Sequence, residues 1–72
     1  MISFELNGDE DIVEINVDDA GRNKLIDILQ RLNIDNNNHV HLMTKEWGAG
    51  EIDDVPQNKE NSIVNLVNIR IW

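Results

Sequence analysis

Two short runs of alternating apolar residues, separated by Asn7-Gly8, constrain this chain more than anything else in it. Ile2, Phe4 and Leu6 recur with a period of two, and so do Val13, Ile15 and Val17. That period is the mark of a strand with one buried face. Asn and Gly both tolerate positive φ, so the pair marks a turn between the runs. The expected unit is an antiparallel hairpin. One of its faces is apolar; the other is polar and acidic through Ser3, Glu5, Glu14 and Asn16.

The period then changes. Leu25, Ile28, Leu29 and Leu32 fall at helical spacing, with Ile26 on the flank and Arg22, Lys24, Asp27, Gln30 and Arg31 mostly opposite. Asp18 or Asp19 suits the N-cap, where a carboxylate accepts a free backbone N–H and favours the positive helix end. Gly21 weakens the first turn. Asp35-Asn36-Asn37-Asn38 is a run of poor helix formers, so the helix is expected to stop near Asn33. A third strand is expected over His39–Thr44, with Val40 and Leu42 on one face and His39, His41 and Met43 on the other. Lys45–Ser62, with Gly48, Gly50 and Pro56, reads as a long loop of the functional or mobile kind. Ile63–Trp72 reads as one last strand, apolar enough to sit centrally or against another chain. The fold class is α+β: a single domain over residues 1–72, in β-β-α-β-β order. The expected architecture is a mainly antiparallel four-stranded sheet, with the helix packed on one face. The opposite, acidic face is expected to be exposed unless a partner covers it, and function is expected there.

Seventy-two residues leave room for one core, which supplies only roughly 3–5 kcal/mol of stability. The absence of cysteine removes disulfides, thiolate metal sites and thiol nucleophiles. No apolar run approaches the ~20 residues needed to span a bilayer, and MISFELNGDEDI lacks the basic start of a signal peptide. These features together predict a soluble, cytoplasmic protein. Its net charge is −8, and residues 1–20 contain seven acids and no Lys or Arg. Such a field repels nucleic acid and anionic membrane and steers basic partners inward, although solubility alone also accounts for it.

Catalytic chemistry finds little to work with. There is no HExxH, phosphate-binding glycine loop or nucleophile constellation, so no enzyme is expected. His39 and His41 share a strand face, and a zinc site there would need Glu46, Glu51 or Asp53 as further ligands. Ordinary surface histidines are the simpler reading, and no metal or cofactor is expected. Asp9-Glu10-Asp11 lacks the spacing of a calcium loop and reads as a solvated turn. Trp47, between Glu46 and the acids Glu51, Asp53 and Asp54, fits an interface hot spot; the alternative is a side chain that pins its loop to the sheet. Trp72 reads as core.

His41-Leu42-Met43-Thr44, Trp47-Gly48 and Glu51-Ile52 resemble the signature of a small bacterial immunity-protein family from polymorphic toxin systems, the family numbered thirty-two among them. Gln57, Asn61, Val64-Asn65, Ile69 and Trp72 resemble its closing segment. The resemblance covers mainly residues 39–72 and implies a non-catalytic single domain whose partner is a cognate toxin. On that reading Trp47, Glu46, Glu51, Asp53 and Asp54, together with Asp9, Glu10 and Asp11, form the toxin-facing surface. A toxin nuclease with a basic cleft would suit these carboxylates. The alternative function is a structural or regulatory subunit that forms a homodimer through its C-terminal strand.

Overall fold

The computed structural model describes residues 1–9 and 11–72. In chain order it contains β1 (Ile2–Leu6), β2 (Val13–Val17), α1 (Asp19–Gln30), β3 (His39–Met43), a 3-10 turn (Lys45–Trp47), β4 (Ser62–Ile63) and β5 (Leu66–Arg70). β1 and β2 form the expected hairpin, with Ile2 opposite Val17, Phe4 opposite Ile15 and Leu6 opposite Val13. Asp18 caps α1: its carboxylate accepts the Gly21 N–H at 2.7 Å and the N-terminal ammonium at 2.8 Å. The ammonium and the Gly21 N–H hold its pKa below the ordinary carboxyl value.

Gly21 is more than a weak spot in that first turn. It is buried where α1 meets the start of β1, and a Cβ there would lie 1.8 Å from the Met1 carbonyl oxygen. Only glycine lets the two backbones approach so closely.

The strands form two sheets, not one of four strands. The first runs β2-β1-β4 and the second pairs β3 with β5, all antiparallel. The expected last strand breaks at Val64-Asn65, where the chain changes sheets. The Val64 N–H bonds to the Phe4 carbonyl at 2.8 Å, and one residue later the Asn65 carbonyl accepts the Thr44 N–H at 3.0 Å. Val64 and Val67 both pack on the core, although they are three positions apart. A straight strand of period two cannot turn both inward, so the bend supplies the change of face.

The core is small. Ile2, Phe4, Leu42 and Ile52 are buried, flanked by Leu25 and Ile28 of α1 and by Val40, Val64, Val67 and Ile69. The molecule exposes 5129 Å², against about 4,600 Å² for a compact monomer of its mass.

The long segment after β3 is not a free loop. Ile52 enters the core, and Asp53 completes the edge of β1 that β2 does not use: its N–H bonds to the Ile2 carbonyl at 2.7 Å, and its carboxylate accepts the Ile2 N–H at 3.0 Å. Farther along, residues 57–61 cover the second face of the hairpin. That face was expected to be exposed and functional, yet Ser3 and Glu5 are wholly buried beneath it. The Glu5 carboxylate accepts hydrogen bonds from the Ser3 hydroxyl, the Asn16 amide (2.9 Å), the Asn61 amide (3.1 Å) and the Gln57 and Asn58 N–H groups (2.9 and 3.3 Å). Asn61 also bonds to Glu14. Burial alone would raise the Glu5 pKa, but these donors outweigh it and lower the value to about 2.

Candidate functional site

The turn that carries Trp47 is built by local hydrogen bonding. The Thr44 carbonyl accepts the N–H groups of Trp47 (3.0 Å) and Ala49 (3.3 Å), and the Gly50 N–H returns to the Met43 carbonyl at 2.9 Å. Gly48, at φ 116°, ends the 3-10 turn in a conformation that side chains disfavour. Trp47 is left 56% exposed, so it does not fold back on the sheet to pin the loop. Glu46 beside it is exposed, as is Asp54.

The neighbouring acids divide by role. One Glu51 carboxylate oxygen accepts the Met43 N–H at 3.3 Å, and the Glu51 carbonyl takes the Lys24 ammonium at 3.2 Å. Asp53 is the clasp on β1 described above. Both are therefore committed to the fold, and charge reversal at Asp53 would disturb structure as well as surface. Asp53→Ala is expected to cost about 1–2 kcal/mol, because it strands the Ile2 N–H. Asp54→Ala is expected to stay within about 0.5 kcal/mol of the parent. Urea unfolding of the two variants measures the contrast.

Asp9 and Asp11 are exposed in the hairpin turn, where the Asp9 N–H bonds to the Asn7 side chain at 3.2 Å. Glu10, the third acid assigned there, lies outside the described residues. This turn follows Leu6, whereas Asp53 sits at Ile2, so the length of β1, ~13 Å, separates them. The two acidic groups do not form a single cluster.

His39 and His41 are exposed on the outer face of the second sheet, their ring centres 5.0 Å apart and edge to face. The Nδ1 of His39 contacts the Asn38 side-chain oxygen at 2.8 Å, and that of His41 contacts the side-chain oxygen of Asn68. Among the described residues no three His, Asp or Glu side chains gather as a metal site would need. Trp72, expected in the core, is 92% exposed, with the Arg70 guanidinium 5.8 Å from its ring centre. Trp72 lies beyond the last ladder bond, from the Ile71 N–H to the Asn38 carbonyl at 2.9 Å, and so projects past the end of the second sheet.

The exposure of one apolar row has no signal in the sequence. Val13, Ile15 and Val17 lie in register with Ile2, Phe4 and Leu6, yet they are 60, 54 and 38% exposed. Periodicity gives the face of a strand but not whether anything covers it.

No helix among the described residues is long and apolar enough to cross a membrane. No protein-family model, no curated protein and no solved structure matches the chain.

Proposed function

We propose that this protein is an immunity protein that binds and neutralises a cognate bacterial toxin in the cytoplasm. The observation that carries the reading is Trp47, a large aromatic held exposed on a hydrogen-bonded turn next to the exposed Glu46, with Asp54 exposed further along the same segment. A preorganised aromatic loses little freedom on binding, and aromatic anchors of this kind dominate interface energy. The net charge of −8 adds steering toward a basic surface such as a nuclease cleft, with association reaching about 10⁸–10⁹ M⁻¹s⁻¹ at low salt. Glu51 and Asp53 shape the turn, and the pairing acids are Glu46 and Asp54, joined by Asp9 and Asp11 where the toxin reaches the hairpin.

The test is growth of cells expressing the toxic domain encoded beside this gene, with and without this protein. Rescue, accompanied by a complex on a sizing column, is expected. Trp47→Ala combined with Asp54→Lys should weaken the complex at least tenfold while leaving the urea midpoint in place. Full rescue by that folded variant would show that the surface is elsewhere.

The alternative of a subunit dimerising through its C-terminal strand draws on the outer edge of β5, which pairs with nothing among the described residues. Arg70 lies on that edge, and a charged residue there discourages strand pairing.

A further inference from the structure

The outer edge of β2 is open among the described residues. The Asp18 N–H bonds to the Met1 carbonyl and the Asn7 N–H to the Ile12 carbonyl, whereas Ile2 and Phe4 turn their backbone groups toward Asp53 and Val64. By the alternation of an antiparallel ladder, Asn16 and Glu14 face β1, and the N–H and C=O groups of Val13, Ile15 and Val17 point outward. Among the described residues nothing pairs with them. Their side chains are the exposed apolar stripe already noted. Natural sheets blunt such an edge with Lys, Pro, a bulge or an inward charge. β2 has neither Lys nor Pro and keeps unbroken register with β1, while Glu14 is taken up by Asn61.

The helix extends the stripe. Lys24 reaches the Glu51 carbonyl, which places that flank of α1 on the Asp53 side of β1. At ~100° per residue, Leu29 falls on the opposite flank, toward β2, and is exposed.

Charge decides what fits. Asp9 and Asp11 are exposed before β2, and Asp19 is almost fully exposed after it, with the solvated Arg22 guanidinium 3.9 Å away. A second copy paired antiparallel about Ile15 would set Asp11 opposite Asp19 twice over, and like charges so placed destabilise a ladder. A segment with basic ends meets both acids favourably.

We infer that β2 accepts an added strand from another protein, an extended segment with alternating β-branched residues and Lys or Arg at each end. This deepens the immunity reading by naming the element the toxin would supply, and rests on that reading only for the strand's source. Backbone bonds would give affinity, the apolar stripe the register, and the flanking acids the choice of partner.

The probe is a synthetic peptide with Lys at each end and Val alternating with Thr between, added to the intact protein. Amide NMR shifts should change at Val13, Ile15 and Val17, and calorimetry should show at least tenfold preference over the same peptide with Glu ends. Ile15→Lys should lower affinity at least tenfold with circular dichroism and urea midpoint unchanged, while Trp47→Ala should leave it as it is. Val13→Thr with Val17→Thr gives a milder second variant, expected to weaken binding severalfold. Shifts confined to other regions, equal binding by folded Ile15→Lys, or concentration-dependent shifts at this edge without peptide would each overturn the proposal. Rescue of cells by Ile15→Lys as good as the parent's would remove the edge from the toxin interface and leave immunity standing. Peptide binding without rescue would do the reverse.

Discussion

Glu5→Ala is expected to leave this protein largely unfolded at neutral pH. The substitution removes the single acceptor shared by Ser3, Asn16, Asn61 and the Gln57 and Asn58 N–H groups. Each buried donor left without an acceptor costs about 1–3 kcal/mol, several lose theirs at once, and a domain of this size has roughly 3–5 kcal/mol in all. Far-UV circular dichroism and urea titration would read the loss, and a cooperative transition near the parent midpoint would refute the role. Glu5→Gln is the milder test, because an amide NH₂ turned toward donors spoils only part of the set.

The same carboxylate sets an acid limit. The ordinary value for Glu is 4.5 and the folded value is about 2. A depressed pKa means that the folded state holds the proton less tightly than the unfolded chain. The stabilisation is therefore complete above the unfolded value and is lost as pH falls from about 4.5 toward 2. Asp18, also depressed, acts in the same direction. Urea midpoints should be flat at neutral pH and decline through that window, and Glu5→Gln should flatten the decline.

Gly21→Ala is the second large effect, and its sign opposes helix propensity. Propensity favours alanine by about 1 kcal/mol. The new methyl would stand 1.8 Å from the Met1 carbonyl oxygen and 2.7 Å from its carbon, both backbone atoms that cannot rotate away. Overpacking of this kind costs about 1–3 kcal/mol or more, and relief requires α1 to shift or the start of β1 to peel off. Peeling would break the Met1–Asp18 backbone bond and the ammonium–carboxylate contact. A net loss of about 2 kcal/mol or more is expected, read as a lower urea midpoint. An unchanged or raised midpoint would mean that the close approach is not held in solution.

The hairpin, the helix and its Asp18 cap were legible because each rests on neighbours in sequence: a period of two, a period near 3.6, and a carboxylate one residue before a helix. The inner faces of the second sheet were equally readable from Val40 and Leu42. Glu5 was not. In a strand beginning Ile-Ser-Phe-Glu-Leu a carboxylate reads as solvent-facing, and its donors lie as far as 56 residues away. Nor does any local signal mark Asn65 as the point where the chain changes sheets. Of the candidate surface, Trp47, Glu46 and Asp54 stand exposed as their composition suggested. Glu51 and Asp53 are the same residue types at the same spacing, and only long-range backbone contacts show that they serve the fold.

The way β1 is completed bears on how the protein is made. The second residue of the chain obtains its outer hydrogen bonds from Asp53, and Phe4 obtains one from Val64. A nascent chain that lacks residues 53–64 can pair β1 with β2 and pack α1 on them, but it has an open central strand and an uncovered Glu5. Completion of this sheet needs the distal segment to clear the ribosome, and at about 5–20 residues per second that delay is a matter of seconds. Synthesis therefore delivers the finished sheet only near its end, with no half-length product able to cover Glu5.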